Sequence, residues 1–147
     1  MERSLHHISK SAIVPYSPQQ MFALVNAINN YPQFLNWCSG ASILNQSEQQ
    51  ITASVEINKG GFKQKFTTKN TLRAFDLIEM ELLDGPFKTL SGQWRFEALG
   101  DNAAKVALEL QFSFKSRMMD IALSSIFTQI ANSQLDAFIA RAKHVYG

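Results

Sequence analysis

Two periodicities constrain this chain more than anything else in it. Between residues 40 and 115 apolar and polar residues alternate, and from about Met118 onward the apolar residues recur at three- and four-residue spacing. Alternation marks half-buried strands, and the spacing that follows marks one long amphipathic helix. Met119, Leu123, Ile126, Phe127, Ile130, Ala137, Phe138 and Val145 form its stripe. Such a helix would be about 40 Å long, and only a sheet is broad enough to cover it. The pattern predicts an α+β fold in which a bent antiparallel sheet of about seven strands is crossed on its concave face by the C-terminal helix. Residues 1–147 hold no repeat, linker or low-complexity run and suit a single domain.

Two hairpins set the register. Gly60-Gly61 is a two-residue turn between alternating runs. Pairing across it sets Ile57 against Gln64 and Val55 against Phe66 on one face, and Glu56 against Lys65 on the other. A second turn at Gly100-Asp101-Asn102 sets Trp94 against Leu108, Phe96 against Val106, and Glu97 against Lys105. Between the hairpins, Ile78, Met80 and Leu82 share a face of a strand that ends at the turn Asp84-Gly85-Pro86-Phe87. Ahead of the sheet region, residues 4–14 read as a first strand. Ser17-Pro18-Gln19-Gln20 then opens a helix, with a capping serine, proline at the first helical position and Gln20 completing a capping box. Met21, Phe22, Leu24, Val25 and Ile28 give this helix its apolar side, Asn29-Asn30 breaks it, and Tyr31 to Trp37 forms a second short helical piece.

Composition narrows the chemistry. Eleven Phe against three Tyr and two Trp suit a dry interior or an apolar pocket. The net charge of +2 does not by itself indicate nucleic-acid binding, and nothing points to DNA. One cysteine excludes an intrachain disulfide framework, which fits a reducing cytoplasm. The polar N-terminus lacks a signal-peptide core, and no window approaches the roughly 20 apolar residues of a membrane span; transient membrane contact is compatible with this. No P-loop, GxGxxG or HExxH string occurs. His6 and His7 fall on opposite faces of a strand and His144 is distant, so no metal set is expected. Cys38 lies in an apolar aromatic segment and reads as a buried, inert thiol. No acidic pair in an apolar run suggests acid–base catalysis, so no catalytic residue is assigned.

Polar residues on the apolar face carry more information. The face with Phe62, Phe66 and Leu72 also holds Gln64, Thr68 and Asn70, and Gln134 interrupts the helical stripe between Ile130 and Phe138. Buried amides and hydroxyls need partners. Either they satisfy one another or a buried water, or they line a cavity whose apolar walls and few polar groups orient a ligand. For Gln134 the first case makes Gln64, Thr68 or Asn70 its partner. The opposite face of the same strand carries Lys63, Lys65, Lys69 and Arg73. This is a solvated face balanced by Glu56, Glu79 and Glu81, or a basic stripe for RNA or anionic lipid.

Three strings resemble one family. Tyr31-Pro32-Gln33-Phe34-Leu35-Asn36-Trp37-Cys38 resembles its YPxFLPWC string, with Asn36 where proline is usual. Asp84-Gly85-Pro86-Phe87-Lys88 with Leu90 and Gly92-Gln93-Trp94-Arg95-Phe96 resembles DGPFxxLxGxWxF. Ala137-Phe138, Arg141-Ala142 and Tyr146-Gly147 resemble an AFxxRAxxxYG ending. Together they are similar to the coenzyme-Q-binding and ribosome-association-toxin branch of the START-like, helix-grip superfamily. That resemblance implies three roles: an apolar-ligand carrier binding a lipid or an isoprenoid quinone such as ubiquinone, with no cofactor required; a toxin-like factor on the large ribosomal subunit that blocks subunit association; or, less in keeping with the residues, a polyketide-cyclase-type enzyme. The expected cavity residues are Trp37, Phe62, Phe66, Phe87, Leu90, Trp94, Phe112, Phe127, Ile130 and Gln134, with Trp37 and Phe87 as lips of a mouth between the Tyr31–Cys38 and Asp84–Phe87 segments. The expected RNA contacts are Lys63, Lys65, Lys69 and Arg73.

Overall fold

The computed structural model describes residues 5–147. Its elements are β1 (His6–Val14), α1 (Pro18–Asn26), a 3₁₀ turn (Ile28–Gln33), β2 (Cys38–Gln46), β3 (Gln50–Lys59), β4 (Phe62–Arg73), β5 (Leu77–Asp84), β6 (Phe87–Ala98), β7 (Ala104–Phe114) and α2 (Arg117–Tyr146). The seven strands form one antiparallel sheet in the order β1-β7-β6-β5-β4-β3-β2. The first strand begins at His6; residue 4, its expected start, lies outside the described residues.

Both hairpin registers stand as the alternation requires. Ile57 faces Gln64, Val55 faces Phe66 and Glu56 faces Lys65. Trp94 faces Leu108, Phe96 faces Val106 and Glu97 faces Lys105. Gly60 and Gly61 take φ of +60° and +80°, the left-handed pair that lets a two-residue turn follow the twist of its strands. Irregular pairing near Cys38, Ile43, Thr67 and Phe87 interrupts the ladder, and such bulges sharpen a sheet's bend.

The α1 start is built as its sequence implies. The Ser17 hydroxyl accepts from the Gln20 N–H while the Gln20 side chain accepts from the Ser17 N–H. Ile28 departs from expectation: it opens the 3₁₀ turn and packs with Ile51 and Ala53 instead of continuing the helix face. The 3₁₀ turn thus begins and ends earlier than the predicted Tyr31–Trp37 piece. Pro32 has no N–H to continue an α-helical ladder, and Phe34–Trp37 turn the chain into β2.

Helix α2 has 30 residues, about 45 Å at 1.5 Å per residue. Ser116 caps it by accepting from the Met119 N–H. Phe127, Ile130 and Phe138 are buried as the stripe requires, joined by Ala131, Leu135 and Ala142. Val145 leaves the stripe and is exposed near the chain end. The helix enters beside β1, where His6 Nε2 lies 2.6 Å from Asp120 Oδ1. It finishes beside α1, where the Tyr146 hydroxyl donates to the Gln20 carbonyl. Because neighbouring strands alternate direction, the 60–61 turn, the 85–86 turn, the β7–α2 connection and the start of β2 all lie at the end of the sheet where α2 begins.

Candidate functional site

Two aromatic clusters divide the interior between sheet and α2. Near the helix start, Phe66, Phe87, Phe112, Phe114 and Phe127 pack with ring centroids 4.7–6.3 Å apart. Further along, Tyr31, Phe34 and Trp94 all pack edge-on to Phe138 at 5.2–5.4 Å. Between the clusters lies an apolar cavity of about 100 Å³. Strands β3 to β7 form its floor, α2 roofs it, and Tyr31 and Trp37 close its side.

Seven of the expected cavity residues line it. Trp37, Phe66, Leu90 and Trp94 come from the sheet side and its approach; Phe127, Ile130 and Gln134 come from α2. Three do not. Phe87 and Phe112 are 2 % and 0 % exposed and spend their surface on neighbouring rings, which leaves none for the cavity. Phe62 is half-buried beside the 60–61 turn, at the sheet end. The expected mouth is corrected in the same way. Only Cys38, at the start of β2, shares the sheet end of Asp84–Phe87. Tyr31 and Phe34 pack on Phe138 on the far side of the cavity, and Phe87 is core and not a lip. Ala131 and Tyr31 were missed as lining residues. Ala131 follows Phe127 by one helical turn, so the spacing alone could have placed it.

The polar groups sort themselves. Gln64 is exposed and takes no part in the cavity. The Thr68 hydroxyl donates to Asn70 Oδ1 at 3.0 Å, so these two satisfy each other. The Gln134 Oε1 is buried and has no hydrogen-bond partner. An amide in that state ordinarily costs about 1–3 kcal/mol, and it sits on the wall of the cavity. The Tyr31 hydroxyl is held by the Val25 carbonyl, and burial pushes its pKa well above the usual phenol range. Cys38 is buried; its thiol donates to the Gly40 carbonyl at 3.2 Å, and burial raises its pKa. Among the described residues no three histidine, cysteine or acidic side chains converge as a metal site would need.

Lys63, Lys65, Lys69 and Arg73 lie together on the outer face of β4, along its whole length. Their charge is partly answered. Lys63 lies 3.9 Å from Glu56, and Arg73 lies 2.8 Å from Asp76. Lys69 borders an open depression in the outer face together with Glu79, Glu81, Gln93 and Glu109.

A bent antiparallel sheet gripping a long C-terminal helix, with an apolar cavity between them, is the helix-grip class of α+β fold. The chain belongs to the polyketide cyclase/dehydrase and lipid transport family, whose profile matches residues 14–139. It is 46 % identical over 143 residues to a protein of Vibrio cholerae named ribosome association toxin RatA, covering 97 % of this chain and 99 % of that one. It is 24 % identical to the mitochondrial coenzyme Q-binding protein COQ10 homolog B of Xenopus laevis, over 95 % of this chain and 59 % of that one. Among solved structures, an 18 kDa protein of Caulobacter crescentus matches with a TM-score of 0.75 and 30 % identity, covering 97 % and 99 % of the two chains. A Streptomyces aromatase/cyclase matches with a TM-score of 0.85 over 95 % and 94 %, but at 14 % identity it shares the fold alone. The three resembling strings thus placed the chain in its superfamily.

Proposed function

We propose that this chain is a non-enzymatic binding protein that takes the head of an apolar ligand, an isoprenoid quinone such as ubiquinone or another lipid, between sheet and α2. The observation that carries this reading is the apolar cavity with one unpartnered amide, Gln134, on its wall. An amide can turn either its oxygen or its NH₂ inward, since the terminal torsion is two-fold. It therefore suits a quinone carbonyl or a hydroxyl equally. Size sets the scale of what enters. Sites that enclose a whole drug-sized ligand run to about 300–1,000 Å³, whereas this cavity is about 100 Å³. A ring-sized head would require the cavity walls to open, and a long tail would lie outside or require the first turns of α2 to move away from the sheet. No cofactor or catalytic group is part of this reading.

The test uses a property of the site. The protein has two tryptophans, Trp37 and Trp94, and both line the cavity. A short-chain ubiquinone should quench their fluorescence saturably, and organic extraction of the purified protein should release a co-purified lipid or quinone. Quenching that rises only linearly, with an empty extract, would defeat the proposal.

A second reading is favoured by the full-length similarity to RatA proteins. On that reading the chain binds the large ribosomal subunit in the cytoplasm and blocks subunit association, and the basic outer face of β4 is the RNA contact. The two readings use different surfaces and are compatible in one chain.

A further inference from the structure

Helix α2 begins with apolar residues on both of its sides. Met119, Leu123, Ile126 and Phe127 face the sheet. On the opposite side Met118 and Ile121, three residues apart and so on one face, are 79 % and 74 % exposed, the two most exposed large apolar side chains among the described residues. Two large apolar side chains held in solvent on one helix face, with only Arg117, Asp120, Ser124 and Ser125 as polar neighbours in these turns, form an apolar tip at this end. The charge around this end supplies the occupant. Lys88 at the start of β6 and Lys115 in the β7–α2 connection are exposed there, and the pairing of Phe87 with Phe114 brings their strand ends side by side. Of the nearby acids, Asp120 lies 2.6 Å from His6 and Glu56 lies 3.9 Å from Lys63, while Asp84 is exposed.

Two apolar tips beside exposed lysines match a bilayer with anionic headgroups, where the tips enter the acyl boundary and the lysines meet lipid phosphates. We infer that the Met118–Ile121 face of α2, flanked by Lys88 and Lys115, docks this protein reversibly on an anionic membrane surface. No helix is long and apolar enough to cross a membrane, so the contact would be superficial. It also lies on the helix whose next turns, through Phe127 and Ile130, wall the cavity. Docking is nonetheless separable from ligand binding, because the two involve different side chains.

Flotation of the full-length protein with vesicles of phosphatidylcholine alone, or with phosphatidylglycerol added, tests the inference. Binding should require the anionic lipid and weaken with salt. Met118→Ser with Ile121→Ser, and separately Lys88→Gln with Lys115→Gln, should each weaken it about tenfold or more. All four side chains are exposed, so melting temperature should not change, and quenching by a short-chain quinone in solution should persist. Failure to float with anionic vesicles would overturn the inference, as would flotation indifferent to both double variants. So would a wild-type dimer, or ribosome co-sedimentation, that Met118→Ser with Ile121→Ser abolishes while flotation stays intact; the face would then belong to a second copy or to the ribosome.

Discussion

Gln134 shows how a single side chain separates structure from function. Its amide oxygen has no partner, while the groups that could have been its partners, Thr68 and Asn70, bond to each other. Gln134→Leu therefore orphans nothing. Thermal melts should show stability unchanged or slightly higher, since the desolvated amide is removed. Affinity for a quinone head should fall by ~1 kcal/mol, the net worth of one hydrogen bond, as read from tryptophan quenching. A large loss of melting temperature would return Gln134 to a structural role. Cys38 makes a pH-dependent prediction. A free thiol ionises near about pH 8.5, and burial holds the folded thiol protonated beyond that. Below the thiol range both states keep the proton and Cys38 adds no pH dependence. Above it the unfolded state loses the proton first, so folding stability falls with rising pH. Urea melts of wild type and Cys38→Ala at about pH 7 and about pH 9.5 should differ in slope: the wild type loses more. Burial of Tyr31 acts in the same direction at higher pH.

At the scale of elements, close approach of backbones decides what composition cannot. Gly92 faces Leu110 across the β6–β7 pair. A Cβ there would stand 2.4 Å from the Glu109 carbonyl oxygen and 2.6 Å from Leu110 Cδ2. One of the contacts is main chain, so relief requires a strand to shift. Gly92→Ala should cost about 1–3 kcal/mol and lower the melting temperature by several degrees in a calorimetric scan, although alanine otherwise suits a folded chain better than glycine. The hairpins at 60–61 and 99–103 were legible because each couples a turn signal to alternation on both sides, and a one-residue slip would move every apolar side chain to water. The 3₁₀ turn was not. Ile28 carries the spacing of α1 yet packs on Ile51 and Ala53, a contact between segments remote in sequence.

At the scale of the molecule, the outer face of the sheet and its interior should respond independently. Replacing Lys63, Lys65, Lys69 and Arg73 with Gln should weaken co-sedimentation with the large ribosomal subunit and flatten its salt dependence. The pairs lost with Glu56 and Asp76 are exposed and worth little, so folding and tryptophan quenching should persist. Unaltered co-sedimentation would leave the stripe an ordinary solvated surface. The separation of faces follows from alternation, which by itself determined the sheet, both hairpin registers, the side each residue takes and the helix that covers one side. It put Phe66, Trp94, Phe127 and Ile130 on inward faces, where they line the cavity. Phe87 and Phe112 are equally inward and equally apolar, yet they form a packed ring cluster beside the cavity. Periodicity reports the direction of a side chain but not its neighbours, and whether inward rings touch each other or border an empty space depends on how the sheet bends and where α2 crosses it. Only the tertiary structure decided that, and with it why the Gln134 amide faces open space.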